Sequence, residues 1–268
     1  MRVSGVGNRR DERDDHAVGE GTGMPRHALT YPRGDKVVDA TLHVPAGDGP
    51  WPAIVMVTDI RGPRDVFYTR ADRLAAEGYA VLLPNIFYRA GPAPVPDLSA
   101  PFEIAALKPL MALIDPLTSD DLRADGAAAV AALADRPEVR AGGIGVVGYC
   151  IGGKFAILYA DGAGGAITAV AAYHGSALIT DAPDSPHRVA AGVAARYYFG
   201  HADDDMFLPS SRLPELDATL AGAGRVFVSE VYEGAQHGFT VPDGPSYARD
   251  ADDRHWRTMT ALFAQTLR

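Results

Sequence analysis

The stretch that decides the fold is VVGYCIGGKF, residues 146–155, which holds the one cysteine of the 268-residue chain between glycines, directly after an apolar run. The run, then Gly148-Tyr149-Cys150-Ile151-Gly152-Gly153, then the helical pattern KFAILYA, has the form strand, sharp turn, helix. In a turn of the form G-x-nucleophile-x-G, one side chain is pushed above the sheet, and small flanking residues let the backbone reverse without a clash. A lone cysteine is ordinarily an inert buried filler. Here the elbow spacing favours a nucleophile instead. The turn also sets the amide of Ile151 at a helix N-terminus, where an unpaired N–H and the helix dipole stabilise a developing oxyanion.

The same stretch satisfies G-x-G-x-x-G through Gly143, Gly145 and Gly148. That dinucleotide fingerprint must follow a strand and open a helix. Residues 144–147 read as the strand itself, and no acidic residue ends a clear next strand, so no nucleotide or other cofactor is expected.

A thiol with a pKa near 8.5 is mostly protonated at neutral pH, so Cys150 needs a base, and the base needs an orienting acid. After such an elbow the acid comes next in the chain and the base last. GAQHGF places His237 just past the apolar strand RVFVSEVY, among glycines that suit the rim of a site. Before it, YYFGHADDDMFLP offers Asp203, Asp204 and Asp205, of which Asp205 is preferred with Asp203 close behind. A metal site of His201 with these aspartates lacks a second cluster of His or Cys at ligand spacing, so no metal is expected.

Outward from the elbow, AIVMVTD and YAVLLP are continuous apolar runs, as strands covered on both faces should be. Between them RDVFYTRADRLAAEG has helical spacing and a glycine stop. HALTYP and KVVDATLHVP, joined by RGD, alternate as an antiparallel pair. TSDDLRADGAAAVAALAD reads as a helix with a Thr or Ser cap, and the segment 85–116, proline-rich and then helical, as an excursion over the sheet edge. Further strands, ITAVAAYHG and ARYYFG among them, alternate with helices near SSRLPELDATLAGAG and ADDRHWRTMTALFAQTL. The alternation predicts a mostly parallel α/β sheet with helices on both faces and the antiparallel pair at its N-terminal edge. Residues 1–25, rich in charge and glycine, are expected to be a disordered leader, with Met1 and Met24 both open as the translation start, and residues 26–268 one domain.

A formal net charge of −9 disfavours nucleic acid and anionic membranes as partners. One cysteine forms no internal disulfide, and the chain has neither a membrane-length apolar stretch nor a signal-type apolar core. The expectation is a cytoplasmic monomer or small homo-oligomer acting on a small molecule.

The sequence resembles the dienelactone hydrolase family of α/β-hydrolases, from about residue 27 to the end. VTDIRG, GYAVLLPNIFYRAG, GYCIGG, YHGSALITDAPDSPH, GHADDDMF and GAQHGFTVPD carry the resemblance. It implies Cys150 as nucleophile, His237 as base, Asp205 as acid, and an oxyanion hole from the amides of Ile60 and Ile151. It further implies Asp59 beside the resting thiol, where well-known members carry glutamate, and Arg89 on a substrate carboxylate. A second family arginine falls at Val241. The expected activity is hydrolysis of a small lactone or ester through a thioester. A general carboxylesterase, or a non-catalytic, redox-responsive protein with an oxidisable Cys150, are the rival readings.

Overall fold

The computed structural model describes residues 25–95 and 107–268, so the expected leader, both candidate translation starts and the middle of the 85–116 excursion lie outside the described residues. Eight strands form one sheet in the order β1-β2-β4-β3-β5-β6-β7-β8. β1 (Arg26–Arg33) and β2 (Lys36–His43) pair antiparallel, and β2 joins β4 (Ala80–Pro84) antiparallel. From β4 onward every pairing is parallel, through β3 (Ala53–Val57), β5 (Ile144–Tyr149), β6 (Ile167–Tyr173), β7 (Arg196–Asp204) and β8 (Val226–Gln236). This is the expected architecture, antiparallel edge included.

The period-2 alternation of the central strands divides the apolar residues into two cores. Val55, Val57, Val146 and Ala172 face α3 (Ser119–Ala134), α4 (Ile151–Gly162), α5 (Pro186–Gly192) and α6 (Leu213–Gly222), packing with Leu122, Phe155, Ala190 and Leu216. Ile54, Met56, Val147 and Tyr173 face α1 (Asp65–Ala76) and α7 (Arg249–Leu267), packing with Phe67, Leu74, Met259 and Phe263. α2 (Leu107–Ile114) is the helical part of the excursion that can be described, and it buries Ile114.

Local chemistry sets the helix starts. The Thr118 side chain accepts from the Asp121 amide, 3.1 Å away, while Asp121 reaches back to the Thr118 amide at 3.1 Å. Such a box satisfies two of the orphan amides of a helix start, with about 1 kcal/mol at stake in the cap. α5, seven residues opened by Pro186, is too short to leave a helical period in the sequence. No helix among the described residues is long and apolar enough to cross a membrane.

Candidate active site

β5 ends at Tyr149 and α4 begins at Ile151, so Cys150 alone makes the turn, with φ 55° and ψ −122°. That backbone region is costly for any residue with a Cβ, roughly 1–3 kcal/mol, and persists only where the surroundings enforce it. Two glycines enforce it. A Cβ on Gly148 would lie 1.9 Å from the Gly152 carbonyl oxygen, and one on Gly152 would lie 2.4 Å from that of Thr58. The first turn of α4 therefore sits directly on the ends of β5 and β3. Gly148 in the G-x-G-x-x-G match thus serves helix packing, and Gly145 makes room for Phe263 of α7.

The chain brings His237 and Asp205 together through one extended ladder. β7 and β8 run past their apolar stretches, across a register shift, to a last pair, Asp204 with Gln236. The next residue on each strand is Asp205 and His237. Asp205 Oδ2 accepts from His237 Nδ1 at 2.8 Å, and Asp205 Oδ1 accepts from the Phe207 amide at 2.8 Å, so the buried carboxylate is held at both oxygens. Asp203 points elsewhere: its Oδ2 takes the Gly234 amide at 3.0 Å.

With Nδ1–H on Asp205, the free nitrogen of His237 is Nε2, which is buried and makes no hydrogen bond. Burial disfavours a charge on this ring. The thiolate of Cys150 and the Asp205 carboxylate outweigh burial and push the imidazole up to about 10, so the ring is a cation when the sulfur is an anion. Half-buried Cys150 rests its Sγ 3.4 Å from Ser176 Oγ. Phe207 stands edge-on to the His237 ring at 4.7 Å between centroids.

Ile151 opens α4, so its amide has no acceptor within the helix. After β3 the amides of Arg61 and Gly62 turn back onto Asp59, at 2.9 Å to Oδ1 and 3.0 Å to the carbonyl, which leaves the Ile60 amide outside that turn's own bonds.

The two residues implied for the substrate have other partners. Asp59 makes no hydrogen bond to Cys150; Arg64 Nη1 and Nη2 grip its two oxygens at 2.7 and 2.8 Å. Arg64 also reaches Asp243, in the loop after His237, through Nε at 2.7 Å. Arg89 closes Nη1 and Nη2 on Asp125 of α3 at 2.8 and 2.9 Å, and Tyr88 Oη donates to the same carboxylate at 2.8 Å. Val241 is buried. His201, buried and bonded through Nε2 to Ser229 Oγ at 3.2 Å, joins no aspartate cluster, and among the described residues no three His, Cys, Asp or Glu gather as metal ligands.

Sequence reasoning passed over Ser176, His174, Thr240 and Arg64. YHGS, although quoted for the resemblance, signals no chemistry until β6 is seen to end beside β5.

A mostly parallel sheet with an elbow residue at the tip of its central strand, and a paired Asp and His at the tips of the last two, defines an α/β-hydrolase. Within that class the chain belongs to the dienelactone hydrolase family, whose family model matches residues 38–267. It is similar to the carboxymethylenebutenolidase of Rhodococcus opacus, 29% identical over 231 residues that cover 84% of this chain and 86% of the relative. Among solved structures it is similar to one named m3DLH, with a TM-score of 0.76, 24% identity, and 91% of this chain and 99% of the other covered. It is also similar to a dienelactone hydrolase-like promiscuous phosphotriesterase, P91, from metagenomic libraries, with a TM-score of 0.75, 23% identity, and coverage of 90% and 98%. At such identities the solved structures speak for the fold. The chain is a hydrolase of ester or lactone bonds.

Proposed function

We propose that the chain hydrolyses small lactones and carboxylic esters with Cys150 as nucleophile, His237 as general base and acid, and Asp205 as the group that orients the imidazole. The observation that carries this reading is the His237 ring, held through Nδ1 on Asp205 and near enough to Cys150 for the sulfur to raise it. The carboxymethylenebutenolidase relative supports a lactone as one substrate class.

The thiol proton passes to His237 Nε2, and the thiolate attacks the carbonyl carbon. The carbonyl electrons move onto oxygen, where the amides of Ile60 and Ile151 receive the charge. As the tetrahedral intermediate collapses, the C–O bond to the leaving oxygen breaks and His237 returns its proton to that oxygen. In a lactone this opens the ring and leaves the alcohol attached to the acyl group. Water, deprotonated by His237, then attacks the thioester, and the acid leaves as Cys150 regains a proton.

Cys150→Ala should leave a folded protein with no turnover of an aryl ester or lactone panel. Hydroxylamine should take the acyl group off wild-type Cys150 as a hydroxamate and free the thiol, and should yield none from Cys150→Ala. A folded, fully active alanine variant would reject the reading. Between the two ester-hydrolase readings, the closure of Arg89 on Asp125 favours one that does not depend on a substrate carboxylate. Thiol labelling with no hydrolysis across the panel would favour the redox-responsive alternative.

A further inference from the structure

β6 carries no member of the triad, yet the turn after it, Tyr173-His174-Gly175-Ser176, enters the site between the other strands. His174 is fully buried, has no part in the steps above, and adopts φ 37°, in the left-handed region for a residue with a Cβ. Its Nδ1 receives the backbone N–H of Cys150 at 3.2 Å, which is shared with the Tyr173 carbonyl at the same distance. An amide can only donate, so Nδ1 carries a lone pair and the ring proton sits on Nε2. Nε2–H then donates to Thr240 Oγ1 at 2.8 Å. The ring stands edge-on to His237, 5.1 Å between centroids, and to Phe239 at 5.2 Å. Burial, followed by the neighbouring His237 and the charge of Arg70, disfavours the cation that would abolish the Nδ1 acceptor, and holds the ring well below the usual histidine range.

We propose that His174 is a positioning residue that ties the nucleophile elbow to the base-bearing turn, holding the Cys150 backbone through Nδ1 and residues 237–240 through Nε2 and its ring face. This rests on the reading of Cys150 as nucleophile and His237 as base. The nucleophile and base ride on separate strand ends, and a displacement of about 1 Å between them can cost on the order of a hundredfold in rate. Thr240 lies three residues past the base, so one imidazole spans the gap between the two loops.

The experiment compares His174→Phe, which keeps a ring but loses both hydrogen bonds, with His174→Asn, whose carbonyl oxygen restores an acceptor near the Nδ1 position and tolerates the left-handed backbone. Thr240→Val removes only the far bond. Each is read by kcat and KM on one aryl ester, and by the pH profile of Cys150 alkylation with iodoacetamide. The expected result for His174→Phe is a kcat lowered roughly ten- to hundredfold with KM within about twofold, and an alkylation profile displaced along the pH axis. Thr240→Val should displace the profile in the same direction by less, and His174→Asn should recover part of the kcat. A folded His174→Phe with wild-type kcat and profile would overturn the proposal. So would a loss of activity that only follows the folded fraction while the profile stays at wild type, because that is a structural role. Should His174→Phe fail to fold, a wild-type kcat and profile in Thr240→Val overturn it. Failure of the underlying reading looks different: Cys150→Ala stays active, or the wild type turns over nothing, while the alkylation profile still reports the brace.

Discussion

Asp205 lies 2.8 Å from His237 Nδ1 because Asp204 and Gln236, their immediate predecessors, form the last pair of the β7–β8 ladder. The two groups are thus placed by sheet register, and the neighbouring Asp203 is spent on the Gly234 amide. Asp205→Asn should lower kcat by roughly two to four orders of magnitude, since the amide can hold the wrong imidazole tautomer and cannot balance the imidazolium. Asp203→Asn should leave kcat within about twofold, as a substitution remote from the reacting groups does. Steady-state kinetics on one ester decides this, and the reverse ranking would transfer the acid role to Asp203.

Arg64 and Asp59 form a buried pair, their side chains 5% and 10% exposed, at the loop that carries Ile60. Removing one partner strands the other charge in the interior. Arg64→Met should cost about 3–5 kcal/mol in urea denaturation, and Asp59→Asn combined with it should recover much of that loss. A single variant less than about 1 kcal/mol below wild type would show the pair to be as weak as a surface bridge.

Arg89 bears on selectivity. With its guanidinium closed on Asp125 and Val241 at the position of a second family arginine, the chain should discriminate weakly between anionic and neutral lactones. The ratio of kcat/KM for a matched pair should stay within about tenfold, and Arg89→Gln should change KM for the anionic member by less than about threefold. A preference of a hundredfold or more that vanishes in Arg89→Gln would mean that substrate displaces Asp125.

Buried histidines should govern acid stability. Burial lowers His201 and His255 to about 4 each. Between that value and about 6.5 the unfolded chain binds their protons and the folded one does not, so stability falls as pH falls, by about 1.4 kcal/mol per unit for each ring. His237, whose value is raised, adds no slope below the ordinary histidine value near 6.5. The urea midpoint should therefore drop from pH 7 to pH 5, before the carboxylates titrate. A flat midpoint over that range would contradict the assignment of both rings as neutral.

The elbow, the sheet class and the helices on its two faces were legible because each leaves a local mark: Gly148 and Gly152 around Cys150, apolar runs at β3 and β4, and a Thr or Ser cap with an acidic first turn at 118–121. Choosing among the three aspartates was harder, since their sequence is the same polar run whichever one turns inward. The continuation of β7 and β8 through HADD and EGAQ has no hydrophobic period to announce it. Arg64, His174 and Ser176 were illegible for a related reason. Each acts across a gap between loops that only the strand order closes, and an arginine two residues from a glycine reads as solvated surface until Asp59 and Asp243 converge on it.

Position 150 is where durability and reactivity diverge. With φ at 55° the backbone there suits glycine better than any residue that bears a side chain, yet glycine lacks the sulfur on which the proposed reaction depends. Selection for heat tolerance alone would relax this residue early, so an effort to toughen the enzyme has to screen for turnover at every round.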